Sequence, residues 1–134
     1  MAICYLGIGS NLGNRQKNIE RALKEINCLK TTKVLKVSSL IETAPVGGPA
    51  KQNRFFNAAL KIETRLAPLA LLKAFKTIEN KLGRPSKYIR YSPRTIDIDI
   101  LFYGDKNLNS KQLVIPHPKA FKRDFVMRPL LEIL

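Results

Sequence analysis

The sequence predicts an α+β fold: a ferredoxin-like βαββαβ core in which an antiparallel sheet has helices packed against it. Three observations lead there. Two stretches repeat apolar residues at helical spacing, four others are short apolar or alternating runs, and their order along the chain is strand, helix, strand, strand, helix, strand. With 134 residues and 45% apolar content, one domain over residues 1–134 can bury a core without disulfides or a structural metal.

Ile3 to Ile8 is an apolar run closed by Gly9, Ser10 and Asn11, which predicts a buried strand entering a turn. From about Arg15, the residues Ile19, Ala22, Leu23 and Ile26 fall on one helical face, with Lys17, Glu20, Lys24 and Glu25 opposite. That helix should end near Asn27. Val34 to Thr43 is rich in β-branched residues and predicts a second strand. The run Ala44-Pro45-Val46-Gly47-Gly48-Pro49 breaks regular structure, and a mobile loop is expected there. In Phe55 to Glu63, the residues Phe56, Ala58, Leu60 and Ile62 share one strand face, while Phe55 and Asn57 share the other. Pro68 opens a second helix whose apolar positions Leu71, Leu72, Phe75, Ile78 and Leu82 end at Gly83. Arg84 to Pro93 is a basic loop. Thr95 to Tyr103 alternates strictly, with Ile96, Ile98, Ile100 and Phe102 on one face and Asp97 and Asp99 on the other. Leu113 to Ile115 predicts a short edge strand, and a helical tail starts near Phe125.

The chain carries 24 Lys and Arg against 10 Asp and Glu, a formal charge of +14, so an anionic ligand is expected without being named by the charge. Cys4 and Cys28 form no CxxC pair and no histidine cluster surrounds them, which favours free thiols in a reducing cytoplasm over zinc or redox chemistry. No basic run precedes the first apolar stretch, and no stretch approaches the ~18 apolar residues of a membrane span. Neither a signal peptide nor a membrane anchor is expected.

The strongest chemical signal is Arg94-Thr95-Ile96-Asp97-Ile98-Asp99-Ile100. Carboxylates two apart on a strand point the same way at about 6.6 Å separation. Two like charges so placed repel unless a cation lies between them, and hard oxygen ligands suit Mg bridging to the phosphates of a nucleotide. The alternative is a solvated strand face whose aspartates pair with nearby basic side chains. Arg84, Lys87, Arg90 and Arg94 beside them add cations for phosphate oxygens, although a charged loop can also be plain surface. Phe55 and Asn57 offer an aromatic face beside an amide, suited to a planar heterocycle, or else ordinary packing. His117 stands between two prolines with no cluster around it, so a metal role is not expected. Gly7-Ile8-Gly9-Ser10-Asn11-Leu12 has leucine where a dinucleotide fingerprint needs its third glycine, and no GxxxxGK[ST] run exists.

Gly9-Ser10-Asn11-Leu12, Thr43-Ala44-Pro45-Val46-Gly47, Phe55-Phe56-Asn57-Ala58-Ala59, Pro93 to Ile100, and Val114-Ile115-Pro116-His117-Pro118 occur together and in this order. In these motifs, over nearly its whole length, the chain resembles the 6-hydroxymethyl-7,8-dihydropterin pyrophosphokinases. The resemblance implies transfer of the β,γ-pyrophosphate of ATP to the hydroxymethyl oxygen of 6-hydroxymethyl-7,8-dihydropterin in folate biosynthesis, releasing AMP. It implies that Asp97 and Asp99 hold two Mg ions and that Arg84 and Arg94 stabilise charge on the transferred group. Phe55 and Phe125 would sandwich the pterin, with Asn57 reading its edge and Thr43, Ala44, Pro45 and Val46 supplying further contacts. Lys76, Glu79, Arg84, Lys87, Tyr91, Arg94, Ile100, Val114, His117 and Arg123 would line the ATP side. Phe55 stands where many members carry Tyr, and Tyr91 where Trp is frequent.

A cytoplasmic monomer is expected. The competing readings are a ferredoxin-like RNA-binding module and a non-catalytic pterin binder. Asp97 and Asp99, on a strand expected to be central, would repel a phosphate backbone without metal, so nucleic acid is not expected as a partner. Retention of both aspartates and both arginines speaks against a dead binder.

Overall fold

The computed structural model describes residues 1–44, 53–83 and 95–134. Its elements run β1 (Ala2–Ser10), α1 (Arg15–Asn27), β2 (Thr32–Val37), β3 (Ile41–Thr43), β4 (Phe55–Thr64), α2 (Pro68–Lys81), β5 (Asp97–Tyr103), β6 (Leu108–Asn109), β7 (Val114–Ile115), a 3₁₀ turn (Ala120–Lys122) and α3 (Asp124–Ile133). The main sheet has the order β2-β4-β1-β5, with β3 continuing beside β4. All its pairings are antiparallel. The α1 crossover links β1 to β2 past β4, and the α2 crossover links β4 to β5 past β1. This is the expected βαββαβ arrangement.

The period-2 and period-3.6 patterns find each other across one interface. Leu6, Ile8, Ala58, Leu60, Ile62, Ile98 and Ile100 turn toward the helices and bury against Ile19, Ala22 and Ile26 of α1 and Leu71, Phe75 and Ile78 of α2. Each leucine, isoleucine and phenylalanine among them gives about 1.5–3 kcal/mol on full burial. Asn14 starts α1 by accepting from Lys17 N–H at 3.1 Å. Pro68 occupies the first turn of α2, and Gly83, at φ +100°, leaves the helix in a conformation that favours glycine. Cys4 lies in this core, where burial pushes its thiol up to about 12, while Cys28 is exposed. Both thiols are free, as expected.

The opposite face has a smaller core. Ala59 and Leu101 from the sheet meet Ala120, Leu130 and Ile133, so α3 lies across part of that face. Glu132 near the end of α3 fastens it to the link between β2 and β3: Ser39 N–H and Ser39 Oγ–H each donate to its carboxylate at 2.7 Å. Those two bonds pull the Glu132 carboxyl below its usual range.

Four details differ from the sequence pattern. The strand expected over Val34–Thr43 breaks at Ser38, whose backbone N–H donates to Ala59 O at 2.9 Å while its Oγ accepts from Ala59 N at 2.8 Å. Serine thus replaces one step of the ladder, and β2 and β3 become separate strands on the same neighbour. Second, the strict alternation expected for Thr95–Tyr103 fails at Leu101. Tyr5 pairs with Phe102 but Leu6 with Ile100, so Leu101 is the extra residue of a bulge. Phe102 therefore leaves the helix-side core, and Tyr103 takes its place there, its hydroxyl donating to Leu66 O. Third, the segment expected as an edge strand, Leu113–Ile115, supplies β7, which among the described residues pairs with β6 in a separate sheet of two strands. Fourth, among the described residues β5 lies at the edge of the main sheet and not at its centre, so that part of the argument against RNA binding does not hold. The expected helical tail is α3, beginning one residue earlier than Phe125.

Candidate active site

Beyond α3, the face opposite the two long helices opens into a cleft of about 850 Å³, solvent-facing mouth included. Its floor follows from strand parity. Gly7 and Gly9 on β1, Asn57 on β4 and Asp97 and Asp99 on β5 all point to this side, because their neighbours Ile8, Ala58 and Ile98 point to the helix-side core. Register brings them together: Gly9 lies opposite both Asn57 and Asp97, and Gly7 opposite Asp99. The walls come from Thr43 and Ala44 at the end of β3, Phe55 at the start of β4, His117 after β7, and Arg123, Phe125 and Val126 from the start of α3.

Asn57 is fixed from two sides. Its Nδ2 donates to Thr43 Oγ1 at 2.7 Å. Its Oδ1 lies where a Cβ on Gly9 would stand only 2.8 Å away, so glycine at position 9 makes room for the amide. At Gly7 the nearest atoms to such a Cβ belong to Leu101 at 3.8 Å, an ordinary contact. Arg15 ties β3 to the start of β4. It donates to Arg54 O at 2.7 Å, pairs with Glu42 at 3.1 Å, and lies 4.0 Å from the centre of the Phe56 ring. The turn after β1 is held by Asn18, whose Nδ2 donates to Leu12 O at 2.8 Å.

His117 is placed by its backbone N–H, which donates to Leu101 O on β5 at 3.0 Å. Its Nδ1 accepts from Lys119 N–H at 3.2 Å, an arrangement that leaves the proton of the neutral ring on Nε2. Burial first, then the positive charges of Arg123 and Lys119, lower its pKa, with Asp97 acting in the other direction. The neutral ring can thus donate from Nε2. Arg123 lies 5.5 Å from the centre of the Phe125 ring, beside the same wall.

The donor set suits Mg as a partner to phosphate. Asp97 and Asp99 are two carboxylates on one cleft-facing side of one strand. Among the described residues, no three or more His, Cys, Asp or Glu side chains gather to form a complete protein cage. Any Mg here would therefore take its remaining ligands from water and substrate oxygens, which is its usual preference.

The cleft brings together Thr43, Ala44, Phe55, Asn57, Asp97, Asp99, His117, Arg123 and Phe125 of the residues singled out from the sequence. Four others stand apart from its lining. Lys76 is exposed on α2, and Glu79 is wholly buried beneath the sheet. Ile100 turns into the helix-side core, and Val114 lies exposed in β7. Pro45, Val46, Arg84, Lys87, Tyr91 and Arg94 lie outside the described residues, as do both expected loops. Sequence reasoning missed Gly7, Gly9, Leu101 and Val126. For the glycines a signal existed: Gly7 and Gly9 alternate with Leu6 and Ile8, which marks one strand face as lacking side chains.

Residues 5–134 match the family model of 7,8-dihydro-6-hydroxymethylpterin-pyrophosphokinase (HPPK). Over 131 residues the chain is 42% identical to the 2-amino-4-hydroxy-6-hydroxymethyldihydropteridine pyrophosphokinase of Bacillus subtilis, covering 98% of this chain and 77% of that protein. It is 43% identical over 134 residues to the bifunctional protein FolKE of Lactococcus lactis, spanning all of this chain but 38% of that relative. The crystal structure of Plasmodium falciparum HPPK-DHPS shares the fold with a TM-score of 0.73 at 18% identity, covering 99% of this chain and 40% of that one. Among the described residues, no helix is long and apolar enough to cross a membrane.

Proposed function

The chain belongs to the 7,8-dihydro-6-hydroxymethylpterin-pyrophosphokinase family, and from that premise we propose that it transfers the β,γ-pyrophosphate of ATP to the hydroxymethyl oxygen of 6-hydroxymethyl-7,8-dihydropterin, releasing AMP. One observation carries the proposal: an aromatic and amide pocket and a pair of strand carboxylates line the same cleft. Such a cleft suits a flat heterocycle on one side and a metal-bound polyphosphate on the other.

Phe55 and Phe125 hold the pterin ring between them, and Asn57, pinned by Thr43, reads its amide-like edge. Backbone at Thr43, Ala44, Pro45 and Val46 adds further hydrogen bonds to the pterin. Asp97 and Asp99 would hold two Mg ions, which would supply charge neutralisation of the phosphates. The hydroxymethyl oxygen bonds to the β-phosphorus and gives up its proton to solvent water. The bond from that phosphorus to the α,β-bridging oxygen breaks, and AMP leaves with the electron pair. His117 donates from Nε2 to a phosphate oxygen, and Arg123 adds positive charge beside it. Arg84 and Arg94 stabilise the charge that develops on the transferred group, a role well suited to guanidinium. Lys87, Tyr91, Lys76, Ile100 and Val114 contribute to the nucleotide side once ATP is bound. We further propose that residues 1–134 act as one domain, as a cytoplasmic monomer; sedimentation of the purified chain as a dimer would overturn the last point.

The test is a product assay with ATP, Mg and 6-hydroxymethyl-7,8-dihydropterin, with nucleotides separated by chromatography. AMP appearing one-for-one with pterin diphosphate is the expected result. ADP would indicate simple phosphoryl transfer, and a folded protein without turnover would contradict the proposal.

A further inference from the structure

α3 divides the sheet face that it crosses. It packs on Ala59 and Leu101, with the cleft floor at Asn57 and Asp99 on one side and a second patch at Lys61 and Phe102 on the other. Register makes that patch a row across four strands: Lys36 on β2 opposes Lys61 on β4, Lys61 opposes Tyr5 on β1, and Tyr5 opposes Phe102 on β5. With strands about 4.8 Å apart, the row is about 14 Å long. Phe121 of the 3₁₀ turn extends it, its ring centre 5.7 Å from that of Phe102, which lies 6.4 Å from that of Tyr5. Tyr5 and Phe102 are half-buried beside α3, whereas Phe121 is 67% exposed and offers its ring to solvent. Lys36 and Lys61 are like charges directly opposite one another, which destabilises a sheet when no anion lies between them. Among the described residues, neither forms an ion pair, nor does Lys33 on the next row. Glu63 opposes Lys33 there. Lys61 Nζ lies 5.9 Å from the centre of the Tyr5 ring, so charge and aromatic surface meet in the middle of the row.

We propose that this row binds single-stranded RNA, apart from the pterin and nucleotide cleft. The lysines at one end take phosphates and the rings at the other stack bases, the combination by which sheet surfaces hold unpaired strands. Asp97 and Asp99 would repel a phosphate backbone, but they lie across α3 from the row. A second copy of a chain with +14 charge would bring lysines against lysines. An anionic membrane would satisfy the lysines but leave Tyr5 and Phe102, set into the surface beside α3, without contact. In the cytoplasm proposed for this chain, RNA is the abundant single strand.

The experiment titrates fluorescein-labelled dodecauridylate with the protein and follows anisotropy, with Mg and α,β-methylene ATP, which cannot break at the scissile position, filling the cleft. Binding should persist under these conditions and fall with salt at a log–log slope of about −2, as three lysine contacts give. Phe121→Ala should weaken it by about 10-fold, the scale of one lost base stack, and Lys36→Glu by at least as much. Both side chains are exposed, and turnover of the pterin at the native rate in both variants shows that they remain folded. Lys73→Glu on the exposed side of α2 makes the same change in net charge and should bind within twofold of the native chain. Equal loss in Lys36→Glu and Lys73→Glu would assign the binding to overall charge and overturn the proposal. No binding at low salt, release of the RNA by α,β-methylene ATP, or equal affinity for the duplex formed with dodecaadenylate would overturn it as well. Phosphatidylserine vesicles that retain the native chain but not Phe121→Ala, with no RNA bound, would assign the row to a membrane surface instead.

Discussion

The two faces of the sheet are built from the same strands and obey different rules. On the helix side, Leu6, Leu60, Ile62 and Phe75 are sealed from solvent and could trade places with other apolar residues of similar volume. On the other side, β1 gives up side chains at Gly7 and Gly9, β4 offers an amide and an aromatic ring, and β5 offers two carboxylates, with α3 covering only part of the surface. The contrast shows how one set of strands both builds a core and displays a site. Alternation lets every second residue be chosen for chemistry while its neighbours anchor the strand.

The largest break in that comparison should come from Asp97→Ala. Removing one proposed metal ligand should lower turnover by on the order of 10³-fold, the scale seen when a charge-stabilising group is lost. Steady-state kinetics at saturating Mg will measure it, and activity near the native rate would sink the metal assignment.

Core truncations on the two faces sharpen the contrast. Phe75→Ala should destabilise by about 3–5 kcal/mol, and Leu130→Ala by about 2–5 kcal/mol, in denaturant unfolding. Only Leu130→Ala should also weaken pterin binding by the remaining folded protein, because Leu130 seats the helix that carries Phe125. Equal pterin affinity in the two variants would show that α3 is not a wall of the pocket.

The two floor glycines should separate next. Gly9→Ala forces the Asn57 amide to shift and should weaken pterin binding by about 10-fold, or 1.4 kcal/mol. Gly7→Ala meets Leu101 only at ordinary contact distance and should bind as the native chain does. Calorimetric titration of both variants compares them directly.

The smallest effect concerns His117. Its folded pKa is lowered by burial from an ordinary value near 6.5, so in acid the unfolded chain takes up this proton before the folded chain does. The associated stability is unaffected above 6.5 and falls as pH drops from 6.5 toward the lowered value. His117→Gln should lose less melting temperature than the native chain between pH 7.5 and 5.5, measured without Mg. An identical loss would mean that the ring is not held neutral.

Much of this was legible in the sequence where physical periods are strong. Both long helices, the strand Phe55–Glu63 and the Asp97/Asp99 pair followed from spacing, because each must bury one face. The bulge at Leu101 was hidden, since an inserted apolar residue in an apolar strand leaves alternation looking intact. The break at Ser38 was hidden for another reason: a serine can replace a ladder bond with its own hydroxyl without changing the surrounding β-branched composition. Glu79 could be placed on α2 but not beneath β5, because its contact with Ile98 N–H depends on which strand lies beside that helix. The convergence of Phe125 and Arg123 on the cleft likewise depends on the path of the chain after β7, which no local pattern encodes.

The central claim is that one sheet face holds the pterin on β4 and the metal-nucleotide on β5 as separable halves. The most direct test is a paired titration of Asp97→Asn and Asn57→Ala, each with 6-hydroxymethyl-7,8-dihydropterin alone and with Mn(II) and α,β-methylene ATP alone. The account predicts that Asp97→Asn loses the nucleotide complex and keeps the pterin, while Asn57→Ala loses the pterin and keeps the nucleotide complex. Either variant losing both ligands while remaining folded, or neither variant losing any, would contradict it.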